Sequence, residues 1–364
     1  NISEMGANIF YNKKLGENLD FAKIKANYDA SVLAIGSQIG TLIGCEGDDA
    51  ENVFPGIYFL KDMEVSGKRY NFKGKRVAVI GGGNTAMDCC RTAKRCGAEE
   101  VFVIYRRTEK EMPANPIEIH ESKLEGVEYM LLTNPKKVNK DEEGKVKSIS
   151  CLKMKLGEPD ASGRRRPIPI EGSDFDLPVD YILAAIGQKT NVNFLENVNK
   201  NYSDEELKTN RWGDIDANSK TLQTGIKSMF AAGDGVTGPA TLIEAIAQAK
   251  IASHSCNQFL LGQEIEPPKN EFLSKKDNFK KQVSEDYSGH FEKQLRDEMP
   301  TLDPNDRTNF KEVELGYDSE DIAKHEAQRC LECGCTEYFT CDLKKYATEY
   351  DAEQNRLGGE FNEY

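Results

Sequence analysis

Apolar positions in this chain come as short unbroken runs more often than as strict alternation. Residues 77–80 (Val77, Ala78, Val79, Ile80) and 101–105 (Val101 through Tyr105) are two such runs, each too short for a helix. Runs of this kind predict strands buried on both faces, as in a parallel sheet covered by other layers. Between them Ala86, Cys89, Cys90 and Ala93 recur at helical spacing until Gly97 ends the pattern. Strand, turn, helix and strand in that order predict a right-handed crossover unit. From residue 136 to 170 the pattern changes to short alternating stretches broken at Glu143-Gly144 and Ser162-Gly163, which predicts a small antiparallel excursion.

Residues 28–36 and 179–187 echo each other: an acid (Asp29, Asp180), an apolar run, then a closing glycine (Gly36, Gly187). Glycine at a strand end lets backbone approach something closely. A complete α/β pattern lies between the echoes, so one domain is inserted into another and the echoes are the crossings. Further on, residues 229–232 run into Gly233-Asp234-Gly235, and an apolar helix is predicted from about residue 241 to 261. Its first N–H groups can face a ligand's partial negative charge. Residues 263–320 are rich in Lys, Glu, Asp and Asn and read as an extended surface connection, before helical character returns at 319–329.

Composition narrows the function. The 364 residues suffice for two or three domains, and 61 acidic against 48 basic side chains give a net charge of -13. That sign excludes non-specific binding to nucleic acid or anionic membranes. The longest uncharged stretch, residues 30–45, contains three glycines and is too short to span a bilayer. Ten cysteines without a signal-peptide pattern point to a reducing cytoplasm. The chain opens on Asn1 and reads as a fragment or processed product.

Gly81-x-Gly83-x-x-Ala86 fits a dinucleotide-binding turn, with Gly82, Asn84 and Thr85 completing it. Such a turn aims a helix N-terminus at pyrophosphate. Arg106 and Arg107 follow the second strand, where an NAD site would carry an acid; paired guanidiniums suit the 2'-phosphate of NADP(H). Near the end, Cys330, Cys333, Cys335 and Cys341 offer four thiolates at short spacing. Zinc accepts four cysteines but prefers separated pairs, so a 4Fe–4S cluster suits this burst better. His254 and His325 read as capping or packing residues.

The run Val77 to Asp88, with Tyr105-Arg106-Arg107, Met112-Pro113-Ala114, Ala231-Ala232-Gly233-Asp234 and residues 238–246, closely resembles the small (beta) subunit of NADPH-dependent glutamate synthase and its relatives, including the large subunit of an electron-bifurcating ferredoxin:NADP oxidoreductase. The resemblance covers nearly the whole chain. It implies a two-dinucleotide-binding flavoprotein fold of the α/β class: partial FAD-binding domain 1–67, inserted Rossmann-like NADP domain 68–187, return to the FAD domain 188–262, and an extension 263–364 carrying the iron–sulfur motif. It further implies that Asp234 bonds the FAD ribitol, that the helix opening at Thr241 and Leu242 points at the flavin pyrimidine edge, and that Gly36 and Gly187 mark the crossings. Ile35 and Ile186 stand where the family often has Thr, and Thr190 where it often has Pro. No Gly-rich pyrophosphate loop precedes Gly36, so only half a flavin site is expected, with a missing N-terminal FAD segment as its complement.

The leading reading is an electron-transfer subunit that moves hydride between NADPH C4 and flavin N5, then single electrons through iron–sulfur centres to a partner subunit. Hydride transfer needs alignment more than an acid or base, so no catalytic side chain is demanded. Two alternatives are a glutamate synthase small subunit proper and a redox-inactive nucleotide-binding scaffold.

Overall fold

The computed structural model describes residues 2–159, 163–269, 271–272, 294–330 and 340–352. The chain divides into two compact units, Asn1–Ile265 with Asp303–Lys311, and Glu266–Leu302 with Glu312–Tyr364. In the first, α1 (Phe21–Asn27) leads to β1 (Ser31–Leu33), β2 (Ile39–Gly40), β3 (Val53–Pro55) and α2 (Gly56–Glu64). Then come β4 (Arg76–Ile80), α3 (Asn84–Arg95), β5 (Glu100–Tyr105), α4 (Pro116–Leu124) and β6 (Glu128–Leu131). The excursion is β7 (Thr133–Lys140), β8 (Val146–Pro159), β9 (Arg165–Pro169) and β10 (Phe175–Pro178). The chain returns through β11 (Tyr181–Ala184), β12 (Gln188–Lys189), α5 (Leu195–Asn199), β13 (Met229–Ala231), α6 (Asp234–Thr237) and α7 (Leu242–Leu260).

Five parallel strands in the order β3-β11-β4-β5-β6 form the main sheet. Alternate residues serve opposite cores. Val77, Val79, Val101, Val103 and Leu183 pack with Phe59 of α2 and with Met87, Cys90 and Ala93 of α3. Ala78, Ile80, Phe102, Ile104 and Ile182 pack with Val138, Ile149 and Cys151 of the antiparallel excursion. Covered on both faces, these strands have no polar side, which is why their sequence runs are unbroken. Burial of each Val, Ile, Leu, Phe or Met among them contributes roughly 1.5–3 kcal/mol.

The sheet also draws on residues ahead of position 68. β3 forms its edge beside β11, and α2 covers one face. A three-residue strand ending in Pro55 has no periodicity of its own, so only tertiary pairing reveals where it belongs.

The echo strands lie in different sheets: β1 pairs in parallel with β13, while β11 sits inside the main sheet. Their continuations meet where β12 pairs antiparallel with β2, and Thr41 Oγ1 donates to the Gly187 carbonyl at 2.8 Å. Beside this pair runs a buried polar chain. Ser37 Oγ lies 2.8 Å from Thr190 Oγ1, which donates to Asp214 Oδ1 at 2.7 Å, and Ser37 Oγ also donates to the Asp234 carbonyl at 2.9 Å. Thr190, where the resemblance leads one to expect Pro, thus bridges both crossings to the loop before β13.

A second buried network fixes residues 303–311. The Glu125 carboxylate, 4% exposed, accepts from Arg91 at 2.7 Å and Arg95 at 2.9 Å, with Arg307 at 3.4 Å. Arg307, 1% exposed, also pairs with Glu121, and Arg95 Nε donates to the Asn309 carbonyl at 3.0 Å. Burial pushes the Glu125 carboxyl up, but hydrogen bonds from Arg91 and Arg95 outweigh it and hold it below its ordinary value.

In the second unit Leu302 and Val313 share a backbone hydrogen bond. There α8 (Glu320–Ala327) begins at Ser319, whose Oγ accepts from the Ile322 amide at 3.3 Å. The last helix is α9 (Asp342–Glu349). His325 hydrogen-bonds Asp297. Among the described residues no helix is long and apolar enough to cross a membrane.

Glu125→Gln leaves three arginines facing one remaining acid, and should destabilise the protein by about 3 kcal/mol or more in urea unfolding. Because the folded pKa of Glu125 is depressed, its stabilisation is complete above the unfolded value, about 4.3, and is lost as pH falls through the folded value. Acid unfolding of the wild type should show this component and the variant should lack it. Thr190→Val deprives buried Asp214 of a donor at nearly constant volume, with an expected loss of about 1–3 kcal/mol at unchanged m-value.

Candidate functional site

The turn between β4 and α3 is built by contact. Gly81 has φ +142°, and a Cβ there would stand 2.2 Å from the Ala185 carbonyl oxygen. A Cβ on Gly82 would stand 2.7 Å from the Tyr105 ring. Tyr105 is itself held by a hydrogen bond from its hydroxyl to the Glu111 carbonyl at 2.8 Å, and the Ala114 amide donates to the Gly82 carbonyl at 3.1 Å. The Met112-Pro113-Ala114 segment is thereby folded over the turn. Gly83 differs from its neighbours: a Cβ there would meet only Pro113 Cγ, at 3.8 Å. Protein leaves room above Gly83 for another molecule's atoms.

Gly83 is also the N-cap of α3, and no side chain caps that end. A helix N-terminus so left carries partial positive charge toward whatever lies above it. The Asn84 side chain is engaged elsewhere, accepting from the Asn115 amide at 3.0 Å. Ala86 is fully buried, where its small size lets α3 lie close on the sheet.

Above the turn lies a cleft of about 710 Å³. Gly81, Gly82, Gly83 and Thr85 line it, together with Ile186, Gly187 and Gln188. Arg106, Arg107 and Arg164 line it as well, with Thr133 and Asn134, and no described lining residue is acidic. In a chain of net charge -13 this is a local reversal of sign. An uncapped helix end, room over glycine and concentrated guanidiniums fit a phosphorylated dinucleotide. Arg164 escaped the sequence reading. Its signal was the basic run Arg164-Arg165-Arg166 just after the Gly163 turn of an acidic protein.

Thiols near the sheet are not poised for nucleophilic chemistry. Burial pushes Cys90 and Cys151 up to about 12 and raises Cys89 well above the usual value. Cys45, on the cleft wall, is raised by burial and by Asp48. At neutral pH these stay protonated.

The residues expected on the flavin side gather at the C-terminal ends of β1 and β13. The Ala232 amide donates to the Leu33 carbonyl at 3.0 Å, and Gly235 lies against Gly36, where a Cβ would come 3.5 Å from the Gly36 oxygen. Gly233 has φ +78°, and its amide donates to Gln248 Oε1 at 2.8 Å. The Asp234 carboxylate accepts from the Ala240 amide at 3.3 Å. Gly36, Gly233 and Asp234 are therefore brought together, whereas Gly187 lines the arginine cleft. The end of α7 is closed by its own capping box: Thr241 Oγ1 accepts from the Glu244 amide at 3.4 Å and Glu244 from the Thr241 amide at 2.9 Å. Leu242 and Ile243 on its first turn are 79% and 71% exposed.

Of the cysteine motif, Cys330 is exposed after α8, and Cys341 is the N-cap of α9, its Sγ accepting from the Lys344 amide at 3.4 Å. Cys333 and Cys335 lie outside the described residues.

The sequence profile of the pyridine nucleotide-disulphide oxidoreductases matches residues 5–249. The NADP(+)-dependent formate dehydrogenase subunit beta of Moorella thermoacetica is 36% identical over 91% of this chain and 46% of its own length. The NADPH-Fe(3+) oxidoreductase subunit beta of Geobacter sulfurreducens is 33% identical over 91% and 52%. The glutamate synthase [NADPH] small chain of Escherichia coli is 32% identical over 70% and 56%. The chain thus spans about half the length of these curated relatives. FprA of Mycobacterium tuberculosis in complex with NADPH superposes with a TM-score of 0.55 at 17% identity, over 69% of this chain and 68% of that one, which speaks for the α/β fold. With a profile match that takes in the glycine turn, the arginine pair and both crossings, the chain belongs to the pyridine nucleotide-disulphide oxidoreductase family.

Proposed function

We propose that this chain is the NADP(H)-handling part of an electron-transfer subunit that works with FAD and an iron–sulfur cluster. The observation that carries the reading is the cleft over Gly83, with its uncapped helix end and three arginines among its lining residues. Pyrophosphate would lie over Gly81–Gly83 at the N-terminus of α3, and the arginine side would take the 2'-phosphate. Gly36, Gly233 and Asp234 would hold part of the flavin. When bound, the flavin supplies the conversion of a hydride into single electrons. What the chain's own residues do is orient: the β2–β12 pair and the Thr190 bridge fix the arginine cleft relative to the Gly233 loop.

The four cysteines would hold 4Fe–4S, and the hydrogen bond at Cys341 Sγ is of the kind that supports a ligating thiolate. A partner subunit would receive the electrons. An aligned share of 91% must include most of residues 263–364, while one of 70% need not. That difference favours a role like those of the two beta subunits over that of a glutamate synthase small chain.

Calorimetric titration of the full chain should give NADP+ binding tighter than NAD+ by about tenfold or more, reflecting charge-assisted bonds to the 2'-phosphate. Arg106→Ala should erase most of that difference and leave NAD+ nearly unchanged. Anaerobic reconstitution should yield about four irons and four sulfides per chain, and Ser at any of Cys330, Cys333, Cys335 or Cys341 should prevent it. One tightly held zinc in both aerobic and anaerobic preparations would contradict the cluster.

A further inference from the structure

Adjacent in sequence, Arg106 and Arg107 sit differently in the structure. Both line the cleft, but Arg106 is exposed, whereas Arg107 is 6% exposed and its Nε donates to the Arg165 carbonyl at 2.8 Å. The Arg107 carbonyl accepts from the Leu132 amide at 3.0 Å, and the Leu132 carbonyl accepts from the Met154 amide at 2.7 Å. Arg107 therefore ties the end of β5 to the excursion at two points. Leu132, where β6 gives way to β7, has φ +49°, a left-handed conformation that a leucine keeps only when its surroundings impose it.

The tie ends on the carbonyl of Arg165, the residue after Arg164. Within the β8–β9 pair, Arg165 of β9 reaches across to β8, donating to the Gly157 carbonyl at 3.0 Å and the Leu156 carbonyl at 3.2 Å. Arg164, its neighbour, lines the cleft with Arg106. These two cations come from different structural layers and flank the same space.

We infer that the 2'-phosphate is gripped by Arg106 and Arg164, and that Arg107 is a positioning residue that holds the hairpin so that Arg164 reaches the cleft. This rests on the NADP(H) reading above and assigns its specificity to a hairpin residue. Two guanidiniums carried by separate elements, one after β5 and one before β9, can converge on a phosphate dianion in a way that two neighbours on one strand end, whose side chains diverge, do not.

The test is titration of the full chain with NADP+ and NAD+ in four forms: wild type, Arg164→Ala, Arg107→Ala and the double variant, with Arg106→Ala as reference. Arg164 is exposed, so its replacement leaves the core intact. Arg164→Ala should weaken NADP+ on the order of tenfold and NAD+ less than about twofold. Arg164→Lys should restore part of the loss. Arg107→Ala should weaken NADP+ alone, yet add less than about twofold in the Arg164→Ala background, because it acts through Arg164. Unchanged NADP+ binding in Arg164→Ala, with a loss in Arg106→Ala, would overturn the grip while sparing the NADP(H) reading. Multiplying losses from Arg107 and Arg164 would show that Arg107 binds phosphate itself and would overturn its positioning role. Equal binding of NADP+ and NAD+ by the wild type would remove the underlying reading and the inference with it.

Discussion

Contact between Gly81 and the Ala185 carbonyl is the constraint from which the rest of the site follows. With a Cβ at position 81 only 2.2 Å from that oxygen, no other residue lets β4 end so close to the strand that leads back toward β12. This approach brings the start of α3 beside the second crossing, so the helix end opens onto a cleft walled by Ile186, Gly187 and Gln188. Backbone geometry thus supplies the positive end of a dipole, and the arginine side chains add charge of the same sign beside it.

The two helix ends facing candidate ligand space are handled in opposite ways. The α3 end has no capping side chain, while the α7 end is closed by Thr241 and Glu244. Hydrogen bonds from Thr241 hold the Glu244 carboxyl below its ordinary value, which keeps a negative charge there. A phosphate is therefore favoured over α3 and disfavoured at α7. The arginines beside the cleft extend the same field, and the overall negative charge of the chain makes the contrast sharper.

Sequence patterns revealed the features whose cause is local. The unbroken runs of β4 and β5, the spacing of Ala86, Cys89, Cys90 and Ala93, and the turns of the excursion all report nearest-neighbour geometry. What stayed hidden depends on distant partners. β3 is defined by pairing with β11, and residues 303–311, in a stretch that read as surface connection, are fixed by Arg307 among Glu121 and Glu125. Thr190 looked like a departure from pattern until Ser37 and Asp214 supplied its partners. The arginine pair was legible as charge, but that Arg107 is buried on the Arg165 carbonyl while Arg106 stays exposed depends on a partner 58 residues away along the chain.

The central claim is that this cleft holds the 2'-phosphate of NADP(H) between cations. Phosphorus NMR of NADP+ bound to the full chain, followed through a pH titration, reads that contact directly. A phosphate so enclosed should keep its second ionisation about one unit or more below the free value near 6, since neighbouring cations favour the dianion. A bound 2'-phosphate that titrates as it does in free solution would contradict the account.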